Sequence, residues 1–184
     1  MTFYNKILYI LIASESKPLA GYGNNEFKES EKMCEGNLEY CNENKGLISY
    51  PIFELYYEKI DNITYLLFTK HYPKKAATLC LDSLKKEFST FLHGKNFENV
   101  EKYGLNSEMQ EKIKLQYEYY NKDPESISGN SDNIDITFKV KELNPNYDDK
   151  LAEMENKAKQ LDEMRFNIKK EVNEKKKKSK CIIF

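Results

Sequence analysis

Residues 52–70 restrict the possible folds more than any other part of this chain. Residues 52–60 (IFELYYEKI) alternate between apolar and polar side chains, with Phe53, Leu55 and Tyr57 on one face, as in a half-buried strand. Residues 63–70 (ITYLLFTK) are almost continuously apolar, which is typical of a strand buried on both faces. The Asp-Asn pair between them suits a hairpin turn, so the two strands should pair antiparallel.

The rest of the first two thirds supplies further strands and helices around this hairpin. Periodicity predicts strands at 6–14, 19–23 and 47–50, and helices at 25–44, 73–93 and 107–121. The helix at 73–93 has the widest apolar stripe, and Pro73 suits its first turn. The resulting order, β-β-α-β-β-β-α-α, predicts an α+β fold with an antiparallel five-stranded sheet flanked by helices.

Composition divides the chain of 184 residues into one domain and a tail. Residues 1–122 hold the sheet and helices, 123–133 (DPESISGNSDN) predict a linker, 134–174 a coiled-coil segment, and 175–184 a basic tail. The net charge of -1 does not suggest a partner that is a polyanion, so no nucleic-acid binding is expected. No run of eighteen apolar residues is present, and no transmembrane helix is expected.

Motifs for catalysis are not found in the sequence. There is no GxxxxGK[ST] phosphate loop, and Gly21-Tyr22-Gly23 is too sparse for a dinucleotide fingerprint. His71 and His93 have no visible partner, and the internal cysteines form no CxxC pair and are interpreted as packing residues. These internal cysteines are Cys34, Cys41 and Cys80. We therefore expect a protein that is not an enzyme and that has no metal or dissociable cofactor.

The last ten residues predict a lipid anchor. The terminal four residues are a cysteine, two aliphatic residues and a final residue, the C-a-a-X pattern that prenyltransferases read. They are Cys181, Ile182, Ile183 and Phe184. The lysines just before them are Lys175, Lys176, Lys177, Lys178 and Lys180. A covalent farnesyl or geranylgeranyl chain beside a basic cluster would hold the protein on a cytosolic membrane surface containing anionic lipids, without spanning it.

A narrow apolar seam precedes the basic tail. Its members follow alternating spacings of three and four, the a/d pattern of a coiled coil. They are Leu151, Met154, Ala158, Leu161, Arg165, Ile168 and Val172. So narrow a stripe cannot bury itself, so the helix needs a partner. That partner is either other helices or, if the segment folds back, the chain's own domain.

Three of these features together resemble the longin-domain R-SNAREs, in particular their prenylated member. The element order resembles a longin domain, which has a profilin-like fold, and residues 71–76 (HYPKKA) are similar to the family's junction between a strand and the second helix. Residues 150–161 resemble the C-terminal half of an R-SNARE motif. The resemblance implies coiled-coil assembly with Q-SNARE helices, vesicle transport and fusion at endomembranes such as the Golgi, and regulation by an intramolecular contact between longin domain and SNARE segment.

The chain departs from this family at the centre of the predicted coiled coil. The resemblance puts Tyr147 at the central layer, where the family has arginine, and Tyr cannot supply a guanidinium's donors. Pro145 would interrupt a continuous helix, and residues 134–140 alternate like a strand. These departures favour the alternative of a non-fusogenic longin adaptor or an inhibitor of SNARE assembly. In a closed state, we expect the seam and lipid to lie in a groove lined by Phe27, Cys34 and Leu38.

Overall fold

The computed structural model describes residues 6–23, 29–129 and 138–142, together with Asn156 and Gln160. Its strands are β1 (Lys6–Ser14), β2 (Lys17–Gly23), β3 (Lys45–Ser49), β4 (Phe53–Ile60), β5 (Ile63–Lys70) and β6 (Lys139–Glu142). Its helices are α1 (Ser30–Asn37, continued by a 3-10 turn at Leu38–Tyr40), α2 (Lys74–Leu92), α3 (Asn106–Lys122) and α4 (Pro124–Gly129). One compact unit runs from Met1 to Pro145, and the remainder, Asn146–Phe184, is a second unit in which Asn156 and Gln160 are helical and exposed.

The structure is an α+β fold, as the sequence predicts, and the predicted element order is confirmed through α3. The hairpin at residues 52–70 is present, with Ile60 paired to Ile63 across its turn. Two details differ. The first helix ends at Asn37, whose side-chain amide donates to the carbonyl of Met33, rather than continuing to residue 44. Residues 24–28 at the predicted start of this helix, Phe27 among them, lie outside the described residues.

The sheet is mixed and has six strands in the order β2-β1-β5-β4-β3-β6, where the sequence predicts five antiparallel strands. All neighbours are antiparallel except β3 and β6, which run parallel. A parallel neighbour requires a long crossover connection, and here the chain returns to β3 only after passing through α2, α3 and α4. Such a pairing brings together residues that are nearly a hundred positions apart in sequence, so local patterning does not reveal it.

Two neighbouring inner strands, β1 and β5, are buried on both faces. Ile10 and Leu67 belong to a core that includes residues of α2 and α3. Tyr9, the neighbour of Ile10, donates its hydroxyl to Glu31 of α1, 3.1 Å away. Because successive strand residues point to opposite faces, α1 covers one face of the sheet and α2 with α3 the other. This double cover explains why β5 has no exposed residue along its length.

The free edge of β2 is closed by the connection between α2 and α3. The amides of Tyr103 and Leu105 donate to the carbonyls of Pro18 and Leu19, at 2.9 and 3.0 Å. The side chain of Asn106 accepts from the amide of Gly21 at 3.0 Å. An unpaired edge strand is a template for pairing with other chains, so these bonds protect this side of the sheet. The opposite edge, β3, is occupied by β6.

Part of the predicted linker 123–133 is helical. The side chain of Asp123 accepts from the amide of Ser126 at 3.1 Å, and its carbonyl accepts from the amide of Ile127 at 3.2 Å. Pro124 occupies the first helical position, where its missing N–H is no loss. Ile127 packs against the core, which supplies the apolar contact that a short helix needs. Capping by Asp123 and this contact together stabilise a helix in a segment that its polar composition marks as a loop.

Candidate interaction site at the β3 edge

The candidate functional site is the edge of β3 together with β6, which we call the β3 edge site. It consists of β3, the residues that follow α4 at 138–142, and the side chains of β4 that contact them. The register pairs Gly46 with Lys139 and Ser49 with Glu142. Four residues of parallel ladder form a weak attachment, because short edge strands are among the least stable parts of a sheet.

Phe138 is the main side-chain anchor of this attachment. Its ring meets that of Tyr56 edge to face, with centroids 5.2 Å apart and planes at 68°. The ammonium of Lys45 lies 4.9 Å from the centroid of the same ring. Phe138 is half-buried against the core that α2 and α3 cover. An aromatic pair and a cation–π contact each stabilise such a docking by about 0.5–1 kcal/mol beyond the buried area.

The side chains described at 139 and 140 of β6 make weaker contacts. The ammonium of Lys139 lies 2.8 Å from a carboxylate oxygen of Glu43, but their side chains are 72% and 51% exposed. An ion pair so exposed contributes little to stability and weakens further with salt. Val140 is 55% exposed. Among the side chains described at 138–140, Phe138 therefore makes the strongest contacts, and the backbone ladder adds to them.

On the other face of the same edge, Gly46 allows Tyr57 to cross β3. A Cβ atom at Gly46 would overlap the phenol group of Tyr57. Burial raises the pKa of Tyr57, which keeps its hydroxyl neutral beside the edge. The glycine at this position is therefore explained by the close approach of a neighbouring aromatic ring.

The groove predicted on α1 is not open at the described positions. Cys34 is fully buried and Leu38 is 6% exposed, and α1 packs on β1, β2 and β5. Burial raises the pKa of Cys34 well above its usual value, so the group is a neutral thiol inside the protein. Cys41 and Cys80 are also buried thiols, as the interpretation of these residues as packing residues requires.

The residues predicted to carry the anchor and the coiled coil lie outside the described residues. They comprise the C-a-a-X residues Cys181, Ile182, Ile183 and Phe184, the lysines Lys175–178 and Lys180, the central-layer Tyr147, and the seam Leu151, Met154, Ala158, Leu161, Arg165, Ile168 and Val172. Their roles stay predictions. Within the predicted coiled-coil segment 134–174, the structure describes a strand at Lys139–Glu142 and helical residues at 156 and 160.

The two histidines form no catalytic arrangement within the described residues. His71 is exposed and has a φ of 47° at the junction between β5 and α2. His93 is 80% exposed, with its Nδ1 3.8 Å from a carboxylate oxygen of Asp61. No group of three or more His, Cys, Asp or Glu side chains suited to a metal ion occurs in the part of the chain that is described. No helix there is long and apolar enough to cross a bilayer.

A polar cavity of about 500 Å³ lies at the turn between β1 and β2, far along the sheet from Phe138. Lys17 on its wall donates to the carbonyls of Phe97, Glu98 and Val100, at 2.9, 2.8 and 3.2 Å. The ammonium is thus already used to hold the loop after α2. Nothing in this cavity resembles a catalytic pair, so the β3 edge site is the stronger candidate.

Sequence reasoning missed Phe138, Glu43 and Lys45 as parts of a site. The signal that could have found Phe138 is the strand-like alternation of residues 134–140, because a strand outside the predicted sheet needs a sheet edge to pair with. The pairing partner itself could not be read from the sequence. No known protein family matches this chain, and no curated protein is detectably similar to it in sequence.

Proposed function

We propose that this protein is a lipid-anchored SNARE-like protein that acts in vesicle-mediated transport and membrane fusion. Its seam, Leu151 to Val172, would assemble with Q-SNARE helices, while a longin-like domain restrains that assembly. A prenyl chain on Cys181 beside the basic run would hold it on the cytosolic face of endomembranes such as the Golgi. The sequence features carry the SNARE and anchor parts of this proposal.

The single structural observation that supports regulation is the position of β6. This strand stands in the chain between the domain and the seam, and it is paired to the β3 edge. Counted by family spacing, Val140 would be one of the layers upstream of Tyr147 in a full-length coiled coil. A residue cannot be in a β-ladder and in a continuous helix at once. Pairing of β6 and helical assembly through residue 140 therefore exclude each other.

This contact replaces the closed state that the sequence predicted. The restraint we propose is strand addition at the β3 edge, with Phe138 as its anchor, rather than insertion of the seam into a groove at Cys34 and Leu38. Its weak attachment suits a switch, because a few kcal/mol from helix assembly can displace four residues of ladder. Zippering in the part of the seam after Pro145 can begin before β6 is released.

The test is assembly of the full chain with a panel of Q-SNARE helices, followed by circular dichroism and resistance to SDS. We expect a helical complex that forms faster in the Phe138→Ala variant than in the native chain. Phe91→Ala is the matched control, because Phe91 is a half-buried phenylalanine with the ammonium of Lys95 3.5 Å from its ring centroid, on α2. Failure of both native and Phe138→Ala chains to enter any helical complex would refute the fusion proposal.

The second candidate is a non-fusogenic adaptor or inhibitor of SNARE assembly. Tyr147 and Pro145 in the sequence favour it, and so does the pairing of β6, which removes Val140 from a helix. Under this alternative, the tail binds its own domain and does not enter a four-helix complex even when Phe138 is replaced. Mass spectrometry of the C-terminal peptide tests the anchor in both cases, since it detects and identifies the lipid on Cys181.

A further inference from the structure

We propose that one end of the domain is a membrane-facing surface that binds anionic phospholipid headgroups, and we call it the basic end. It is defined by lysines from four elements, at the start of β1, the end of β5, the start of α2 and the end of α3. They are Lys6, Lys70, Lys74, Lys75 and Lys122. This inference rests on the proposed membrane anchor and adds to it an orientation of the domain on the bilayer.

The register of the sheet places the strand lysines together. Lys6 and Lys70 are directly opposite each other in the antiparallel pair of β1 and β5. Like charges directly opposite across strands are unfavourable for folding, so this juxtaposition does not serve stability. Both residues have contacts of their own within the protein, and Lys70 is buried, so they raise the local potential rather than contact lipid directly.

Contacts between the antiparallel helices α2 and α3 place the helix lysines at this same end. Ser83 bonds Gln116 at 2.8 Å, and the hydroxyl of Tyr120 donates to the carbonyl of Leu79 at 2.9 Å. From the first contact to the second, α2 steps back by one helical turn while α3 advances by one turn. One further turn in the same direction brings the start of α2 level with the end of α3. Lys74 and Lys122 are therefore at the same end of the helix pair, and both are exposed.

The ammonium groups of Lys74 and Lys122 make no ion pair or side-chain hydrogen bond within the described residues. The first turn of α2 contains two lysines and no acidic residue, against the preference for negative charge at the start of a helix. Three carboxylates near this end have partners within the protein. Glu54 accepts from the hydroxyl of Tyr56 at 2.9 Å, Asp123 caps α4, and Glu125 has contacts of its own.

The chain leaves the sheet at the same end. Glu142, the last residue of β6, pairs with Ser49, which pairs with Glu54 on β4. Glu54 is in turn opposite Thr69, the residue before Lys70. Glu142, the last described residue of this unit before the segment that contains Cys181, therefore lies at the basic end.

Anionic lipid is the occupant that this geometry favours, because the lysines are dispersed over one end rather than gathered in a pocket for one phosphate. Near an anionic leaflet each lysine strengthens binding by a factor of about five, and this effect disappears within a Debye length of about 10 Å. Replacing lysine by glutamate at the basic end should therefore weaken binding to anionic lipid. The same replacement farther along the same helices should have little effect on that binding.

The experiment compares Lys74→Glu/Lys122→Glu with Lys86→Glu/Lys114→Glu in the full chain. Lys86 and Lys114 are exposed residues of the same two helices, and the net charge change is the same. Lys86 lies about 18 Å along the helix axis from Lys74, and Lys114 about 12 Å from Lys122, at about 1.5 Å per residue; both exceed the screening length of about 10 Å at about 0.1 M salt. Co-sedimentation uses phosphatidylcholine vesicles with and without about 30% phosphatidylserine, at about 0.1 and about 0.5 M salt.

We expect Lys74→Glu/Lys122→Glu to lower the partition coefficient on the anionic vesicles by about tenfold or more at low salt. The control pair should lower it by less than about twofold, and the difference should vanish at high salt and on neutral vesicles. Equal effects of the two double variants overturn the inference. So does a loss that persists at high salt, which would indicate a binding partner or fold change rather than headgroup charge.

Repeating the comparison in a Cys181→Ser background separates this inference from the proposed anchor. A difference between the two double variants in that background supports the basic end whether or not Cys181 carries lipid. Binding that depends on Cys181 alone, with equal double variants, overturns the basic end and leaves the proposed anchor intact. Matching urea midpoints for all variants confirm that the domain is folded in each.

Discussion

Replacing Phe138 by alanine is expected to loosen β6 from the β3 edge while the rest of the domain stays folded. The ring of Phe138 provides the main side-chain contacts that hold β6, through Tyr56 and Lys45. The ladder of four residue pairs remains in the variant, because the substitution leaves the backbone groups in place. The domain core is little changed, since Phe138 lies at its margin.

The magnitude follows from the geometry of the ring. Complete burial of a phenylalanine contributes about 1.5–3 kcal/mol, so the half-buried Phe138 contributes roughly 1 kcal/mol. The edge-to-face contact with Tyr56 adds about 0.5–1 kcal/mol, and the cation–π contact between half-buried Lys45 and Phe138 adds about 0.5 kcal/mol. The sum is about 2 kcal/mol. This energy corresponds to an increase of about 30-fold in the population in which β6 is detached.

Native-state hydrogen exchange measures this population directly. Amides of β6 and of β3 that exchange through local opening should exchange about 30-fold faster in the variant. Phe91→Ala removes a half-buried ring on α2 that also has a lysine over it. In this control variant we expect the exchange rates of the β6 amides to change by less than about twofold. Unchanged exchange of β6 in Phe138→Ala would show that the ladder alone holds the strand. The proposed role of Phe138 as anchor would then be wrong.

Four further predictions concern the stability of the domain. Gly23→Ala should lower the free energy of unfolding by about 2 kcal/mol or more in urea titrations, because its Cβ would lie 2.5 Å from the carbonyl oxygen of Leu8. Gly36→Ala, where no atom lies within 4 Å, should instead raise it by about 0.5–1 kcal/mol. Burial raises the pKa of Tyr65 from 10.0 to about 12, so the stabilisation from its neutral form is complete below pH 10 and is lost as the pH rises through 12. Urea titrations at successive pH values should show that the free energy of unfolding falls on the order of 2 kcal/mol over this interval, and Tyr65→Phe should reduce this fall. An identical pH profile in the variant would refute this assignment. Lys17→Met should lower the free energy of unfolding by about 1–3 kcal/mol and speed proteolysis of the loop after α2, because three backbone carbonyls lose their donor. An unchanged rate of cleavage would argue against a role for Lys17 in holding this loop.

Local periodicity was sufficient for most of the sheet. The strands at 6–14 and 63–70 have the predicted bounds, because polar residues typical of turns flank their apolar runs in the sequence. The helix predicted at 73–93 begins and ends within one residue of its observed bounds, because Pro73 and the length of its apolar stripe fix both ends. The helix predicted at 25–44 is shorter, because its apolar spacing continues past Asn37 without a continuous hydrogen-bond pattern.

The candidate site required the tertiary structure. Alternation at 134–140 indicates a strand, but a strand has no stable place until it finds an edge, and its partner β3 lies far back in the sequence. The sheet has two edges to which β6 could pair, β2 and β3. Backbone hydrogen bonds from the connection after α2 already close the β2 edge, which leaves β3. Charge clustering at Lys74 and Lys122 depends in the same way on the antiparallel packing of two helices.

The sequence by itself determined the class of fold, the order of strands and helices through α3, and the expectation of a C-terminal lipid anchor, because each depends on residues that are near one another in the chain. Only the tertiary structure decided that β6 runs parallel to β3, that Phe138 packs on Tyr56, and that lysines of four elements share one end. These features join distant residues, and their partners are selected by packing, edge pairing and charge in the folded domain rather than by local periodicity.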